Sequence, residues 1–251
     1  ATDSRHYVDA GEPEAISANY FGCFDRALQR LAGRDCVGML ANGFCGDINN
    51  IDITRPRPGA RHPYEPIERV ANVVAAAAYG AWQGLRDFDY DPQPTLGAAT
   101  ETFLFHRRQS SAAELAQAQA LAAEPMPAFE SPEFQRWVYA REVLLVDQEP
   151  LTSPASVQAL RIGGLGLVGV PGEVFVEYGL QIKRRSPFAH TMTVELANGC
   201  LGYLPTDRAL AEGSYETQLA RSSKAAPGTE GTVVAAALAA LARLHRKSEE
   251  A

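Results

Sequence analysis

Three apolar runs in this chain each stop at a loop punctuated by glycine. CVGMLAN (36–42) ends at Gly43-Phe44-Cys45-Gly46-Asp47, and LGLVGV (165–170) ends at Pro171-Gly172-Glu173. The β-branched TMTVE (191–195) leads into LANGCLGY, where Asn198-Gly199 and Gly202 break the pattern. Short apolar runs bounded by turn residues read as buried strands. Their unbroken apolar character suits strands covered on both faces, so the three are expected in one sheet. Sites in α/β proteins gather on loops at strand ends. The three loops are therefore read as the site, and the remainder as its scaffold.

The segments between them alternate in period. Tyr20, Phe24, Leu28 and Leu31 recur at helical spacing until Gly33. Pro66 opens a helix to about Asp87, with Ile67, Val70, Val74, Ala77, Ala78 and Trp82 on one side. DFDYDPQPT (87–95) is a linker, and 100–108 a strand. Residues 111–123 and 132–147 read as helices divided by Glu124-Pro125-Met126-Pro127. Residues 156–170 read as two strands meeting at Gly163-Gly164. Glu173–Arg185 has helical spacing, and so does a closing helix from about Thr232 to Arg246. Alternating strands and helices give an α/β or mixed α+β class, with a central, largely buried sheet and flanking helices. With no composition break, 1–251 is read as one domain.

Charge and motifs remove several function classes. A net charge of −7 argues against nucleic acid as partner, because phosphate needs a basic face. No apolar run reaches the roughly 20 residues of a membrane span. Cys23, Cys36, Cys45 and Cys200 form no CxxC and read as buried free thiols. Gly164-Leu165-Gly166-Leu167-Val168-Gly169 fits GxGxxG, but its glycines lie inside an apolar run and Pro171 follows where a helix should run. A glycine-rich strand is the better reading. There is no GxSxG, HExxH or P-loop, and the five histidines are scattered. Glu173 remains, placed at the expected start of a helix, where it would suit either the macrodipole or a site. Asp47 fits an Asx-type turn or a site loop. Tyr203 and Tyr215 fall in a segment with little reason to bury them. The chain starts without Met and reads as cut from something longer.

Taken in order, these stretches resemble the C-terminal part of the catalytic domain of the neutral/alkaline, non-lysosomal ceramidase family. Gly46-Asp47-Ile48-Asn49-Asn50 resembles the family's Gly-Asp-x-Ser-Pro-Asn loop, with Asn49 at the serine position and Asn50 at the proline. Pro171-Gly172-Glu173 resembles the segment with its zinc-binding Glu. Tyr203 through Tyr215-Glu216 resembles its Tyr-x-x-Thr-Pro-Glu-Glu segment ending in Tyr-Glu-Gly. The resemblance implies a zinc-dependent amide hydrolase acting on an N-acyl sphingolipid or related amide, in which the metal acidifies a bound water and polarises the carbonyl. It implies Glu173 and Tyr203 as zinc ligands, and Tyr215 with Asn49 as stabilisers of the oxyanion. Asp47 braces the loop. Two further histidine ligands are expected upstream; His6, in a polar segment, is expected not to be one. Zinc binding by the chain alone is therefore expected to be poor. The resemblance also implies a secreted or periplasmic protein with peripheral membrane contact, and leaves the oligomeric state open. Asparagine can donate to an oxyanion but cannot relay a proton as serine does. A hydrolase with another substrate, or a non-catalytic binding domain on the same scaffold, stands as the alternative.

Overall fold

The computed structural model describes residues 16–49, 54, 62, 64–129 and 131–246. His6 and Asn50 lie outside the described residues. The class is mixed α/β, as expected. The contacts divide the chain into two compact units, one of residues 1–42 with 49–94, the other of 43–48 with 95–251.

In the first unit, α1 (Asn19–Ala32) packs against α2 (Glu65–Gly84). Tyr20, Phe24 and Ala27 make one buried stripe, and Gly33 at φ 101° ends α1 by donating its N–H to the Gln29 carbonyl. Proline in the first turn of α2 supplies no donor where none is needed. Ile67, Ala71 and Ala75 face α1 at i, i+4, i+8. The stripe is thus centred on alanines, with Val70, Val74 and Ala78 flanking it. Trp82 lies off it and donates its indole N–H to the Tyr90 hydroxyl at 3.0 Å.

Residues 36–42 correct the first expected strand. The segment has no ladder partner among the described residues. Its burial does alternate: Cys36, Gly38, Leu40 and Asn42 are half-buried, while Val37 is 80% exposed. The chain is extended, but its hydrogen bonds are made elsewhere. The Gly38 N–H goes to the Asp25 carboxylate at 2.7 Å, and the Cys36 N–H closes a turn on Gly33.

The second unit is built on a four-stranded sheet in the order β1-β2-β3-β5, comprising β1 (Leu96–His106), β2 (Thr152–Ile162), β3 (Leu165–Gly169) and β5 (His190–Val194). β1–β2 and β2–β3 are antiparallel; β3–β5 is parallel. The Gly163-Gly164 turn joins β2 to β3, with Gly163 at φ 57°. Thus GxGxxG is part of a hairpin strand. Two helices, α3 (Ala112–Ala122) and α4 (Pro132–Asp147), form a hairpin between β1 and β2, each capped by a serine, Ser111 and Ser131. The crossover from β3 to β5 carries the short β4 (Glu173–Val174) and α5 (Val176–Arg185). After β5 come β6 (Tyr203–Leu204), α6 (Asp207–Glu212) and the closing α7 (Thr229–Arg246).

One face of the sheet packs on α7 and α5. Val157, Ala159, Val168, Phe103 and Phe105 meet Val233, Ala237, Leu241 and Ile182 in the core. Gly166 has no room for a side chain, because Phe188 and Leu241 already occupy that space. Cys23, Cys36 and Cys45 are half-buried and form no disulfide, and Cys200 is exposed, which departs from the expected burial.

Candidate active site

Beyond β3 the chain does not enter a helix directly. Glu173 lies in β4, with Val174 and Phe175 between it and α5, which corrects its expected place in the first helical turn. β4 pairs in parallel with β6, and the register puts Glu173 beside Tyr203. The Glu173 N–H bonds the Gly202 carbonyl at 2.9 Å, and the Phe175 N–H bonds Leu204 at 3.2 Å. Paired residues in adjacent strands project from the same face, so the carboxylate and the phenol are held together by backbone bonds. Their side chains meet, with the Tyr203 hydroxyl donating to the Glu173 carboxyl.

Burial governs the electrostatics. It raises the Glu173 carboxyl above its ordinary range; the Tyr203 hydrogen bond opposes this, and the neighbouring Glu195 adds to it. Burial also raises the Tyr203 phenol, with the Glu173 charge next in effect. Tyr203 is therefore a neutral donor here.

Tyr215 opens a short 3-10 turn (Tyr215–Thr217) and sets its ring edge-on to Tyr203, with centroids 6.2 Å apart at 76°. At 60% exposure it is open to an incoming molecule. Its loop is held from behind by Arg108, whose guanidinium donates to the carbonyls of Thr217 at 2.7 Å and Ser223 at 2.6 Å.

Asp47 braces a turn against the same strand. Its Oδ1 accepts the Val176 N–H at 2.8 Å, satisfying an open donor at the start of α5, and the Gly46 N–H bonds the Val174 carbonyl at 2.8 Å. Burial raises the Asp47 carboxyl, partly offset by the Val176 N–H. Gly46 is required here, since a Cβ would collide with the Glu173 carbonyl. Asn49 is exposed and belongs to the first unit.

Two residues that matter here escaped the sequence reading. Glu195 is buried and accepts from Cys45 twice, from the backbone N–H at 3.1 Å and the thiol at 2.9 Å. The alternation of TMTVE carried the signal, because Glu195 falls in phase with the core-facing Thr193. Arg108 was signalled only by the Arg107-Arg108 pair at the end of β1.

The donor set suits part of a hard-cation site. A carboxylate and a phenol oxygen converge there, the carboxyl raised chiefly by its burial. Among the described residues, no three His, Cys, Asp or Glu side chains come together as a metal-binding group. Glu173 and Tyr203 are thus two oxygen donors that could serve a metal ion only with further ligands.

This arrangement of sheet, crossover and paired short strands is a mixed α/β fold. The solved structures that share it are ceramidases. The chain matches the crystal structure of neutral ceramidase from Pseudomonas aeruginosa with a TM-score of 0.64 and 18% identity, over 96% of this chain and 43% of that one. It matches a ceramidase complexed with C2 with a TM-score of 0.62 and 16% identity, over 96% and 44%. The chain therefore spans less than half the length of the structures it matches. No protein-family model matches the sequence, and no curated protein matches it by sequence.

Proposed function

We propose that the complete protein containing this chain is a zinc-dependent amide hydrolase acting on an N-acyl sphingolipid or related lipid amide. The observation that carries the reading is the pairing of Glu173 with Tyr203 across β4 and β6, with Tyr215 edge-on to Tyr203. Residues thirty apart in sequence meet on two-residue strands whose other members, Val174 and Leu204, are buried in the core, which turns Glu173 and Tyr203 to the opposite, half-buried side. The likeness of the fold to ceramidase structures supports the same reading.

In this reading Glu173 and Tyr203 are two zinc ligands, completed by two histidines from polypeptide outside this chain. Bound zinc would supply Lewis acidity at the amide carbonyl and lower the pKa of water. Tyr215 donates its hydroxyl to the oxygen on which charge develops, where a fixed donor favours the transition state. Tyr203 needs a strong neighbouring positive charge to lose its proton, since its surroundings hold it neutral. Asp47 keeps the loop and α5 in register behind Glu173.

The test is hydrolysis of a labelled short-chain ceramide by the complete protein. Glu173→Ala should abolish turnover and zinc retention while leaving the circular dichroism unchanged. Full activity in that variant would refute the ligand assignment. Asn49 favours a second reading, the same chemistry on another amide, because the serine of the family loop is replaced. Zinc-dependent turnover of other N-acyl amides, with ceramide untouched, would select it.

A further inference from the structure

The chain keeps pairing beyond the end of β1. Arg107 bridges Ala225 in antiparallel fashion, and the Arg108 N–H donates to the Lys224 carbonyl at 2.7 Å. From there the Arg108 guanidinium spans two separate places in one loop. One terminal nitrogen donates to the Thr217 carbonyl at 2.7 Å, the other to the Ser223 carbonyl at 2.6 Å. Each carbonyl belongs to the surroundings of one tyrosine. Thr217 is buried and closes the turn that Tyr215 opens: its hydroxyl accepts the Ser214 N–H at 2.6 Å and donates to the Ser214 carbonyl at 2.9 Å. Ser223 is buried too and bridges Gly202, while the Ser222 carbonyl beside it receives the Tyr203 N–H at 2.8 Å. One arm of the fork therefore holds the turn of Tyr215, and the other holds the segment that carries the backbone of Tyr203.

We propose that Arg108 is a positioning residue that fixes Tyr215 relative to Tyr203, by clamping the two loop segments with one planar fork. What Tyr215 then does rests on the hydrolase reading; the clamp rests on the hydrogen bonds alone. The clamp is costly by itself. Among the described residues no carboxylate pairs with Arg108, and its Nε–H is buried without an acceptor. Burial also lowers the guanidinium below its ordinary value. A buried donor left unpaired and a desolvated charge without a counter-charge both lower stability. A guanidinium nevertheless suits the task, because its donors lie in a rigid plane on separate nitrogens. Lysine has the charge but concentrates its donors on one atom. The geometry matters because displacing an aligned group by about 1 Å can cost about 10²-fold in rate.

The complete protein carrying Arg108→Lys, and separately Arg108→Gln, tests the proposal through turnover of labelled short-chain ceramide and through amide hydrogen exchange. The expected kcat is lower by about ten- to hundredfold, with KM within about threefold, because Tyr215 acts on charge that develops in the reaction and not on ground-state binding. In a Tyr215→Phe background, Arg108→Lys should change kcat by less than about twofold, since the hydroxyl it positions is gone. Exchange of the Thr217 and Gln218 amides, which close the turn, should rise about tenfold or more, while that of the Glu173 and Phe175 amides between β4 and β6 stays as in wild type. An equal loss of kcat in both backgrounds would make Arg108 a structural residue only and overturn the proposal. Unchanged exchange at Thr217 and Gln218 in both variants would overturn it as well. Faster exchange there, with no turnover of any lipid amide by the wild type, would overturn the hydrolase reading and leave the clamp standing.

Discussion

Single residues set the chemistry of the loop behind Glu173. Burial pushes the Cys45 thiol up to about 11, and its bond to the Glu195 carboxylate adds to this. The thiolate is the reactive form, so Cys45 stays inert at neutral pH and gains reactivity only as the pH climbs towards that value. In peptide-resolved alkylation at about pH 8, exposed Cys200 should react first and Cys45 more than tenfold later. Glu195→Gln removes the charge that holds the proton and should narrow that gap. Asp47 offers a second test. Asp47→Ala removes the acceptor for the Val176 N–H and should cost about 1 kcal/mol, the usual worth of a helix cap; Asp47→Asn keeps an oxygen there and should cost much less. Urea unfolding of the two variants checks the order. These roles were only partly legible. Asp47 belongs to a recognisable loop, but its partner lies 129 residues away. Glu195 looked like the polar end of a strand, and its burial depends on what packs above it.

Elements defined by local chemistry were read closely. Residues 111–123 and 132–147 were expected as helices, and both formed behind serine caps. The glycine turn at 163–164 fell where its composition put it. Pairing is less local, and there the reading failed. CVGMLAN has the composition of a buried strand, yet its extended backbone bonds to Asp25 and not to a neighbour. Glu173 was placed in a helix because Val174 to Ile182 keeps helical spacing, but Glu173 and Val174 pair with Tyr203 and Leu204 of β6. Gly202 is the element-scale test of that pairing. Its φ of 82° favours glycine, its carbonyl receives the Glu173 N–H, and a Cβ would collide with the Ser222 carbonyl. Gly202→Ala should therefore cost about 1–3 kcal/mol in strain alone and lower the denaturation midpoint. A midpoint equal to wild type would show that β6 can shift without consequence.

At the scale of the whole molecule, the fold class was legible because strands and helices alternate along the chain. The shared likeness to ceramidase structures covers nearly all of the chain and less than half of those structures. That proportion sets the expectation for metal binding. With two oxygen donors of an ordinary four, residues 1–251 should hold zinc weakly and lose it on dialysis. The complete protein should keep about one zinc per chain, and Glu173→Ala should release it. Metal analysis after dialysis reads both outcomes.

The pairing of β4 with β6 has one more consequence. Glu173 and Tyr203 are fixed by bonds between peptide groups, which every residue except proline can make, so the scaffold is indifferent to the side chains it presents. Either position can mutate without unravelling its neighbour. A substitution at either point therefore changes the chemistry presented while the peptide bonds that hold the frame remain.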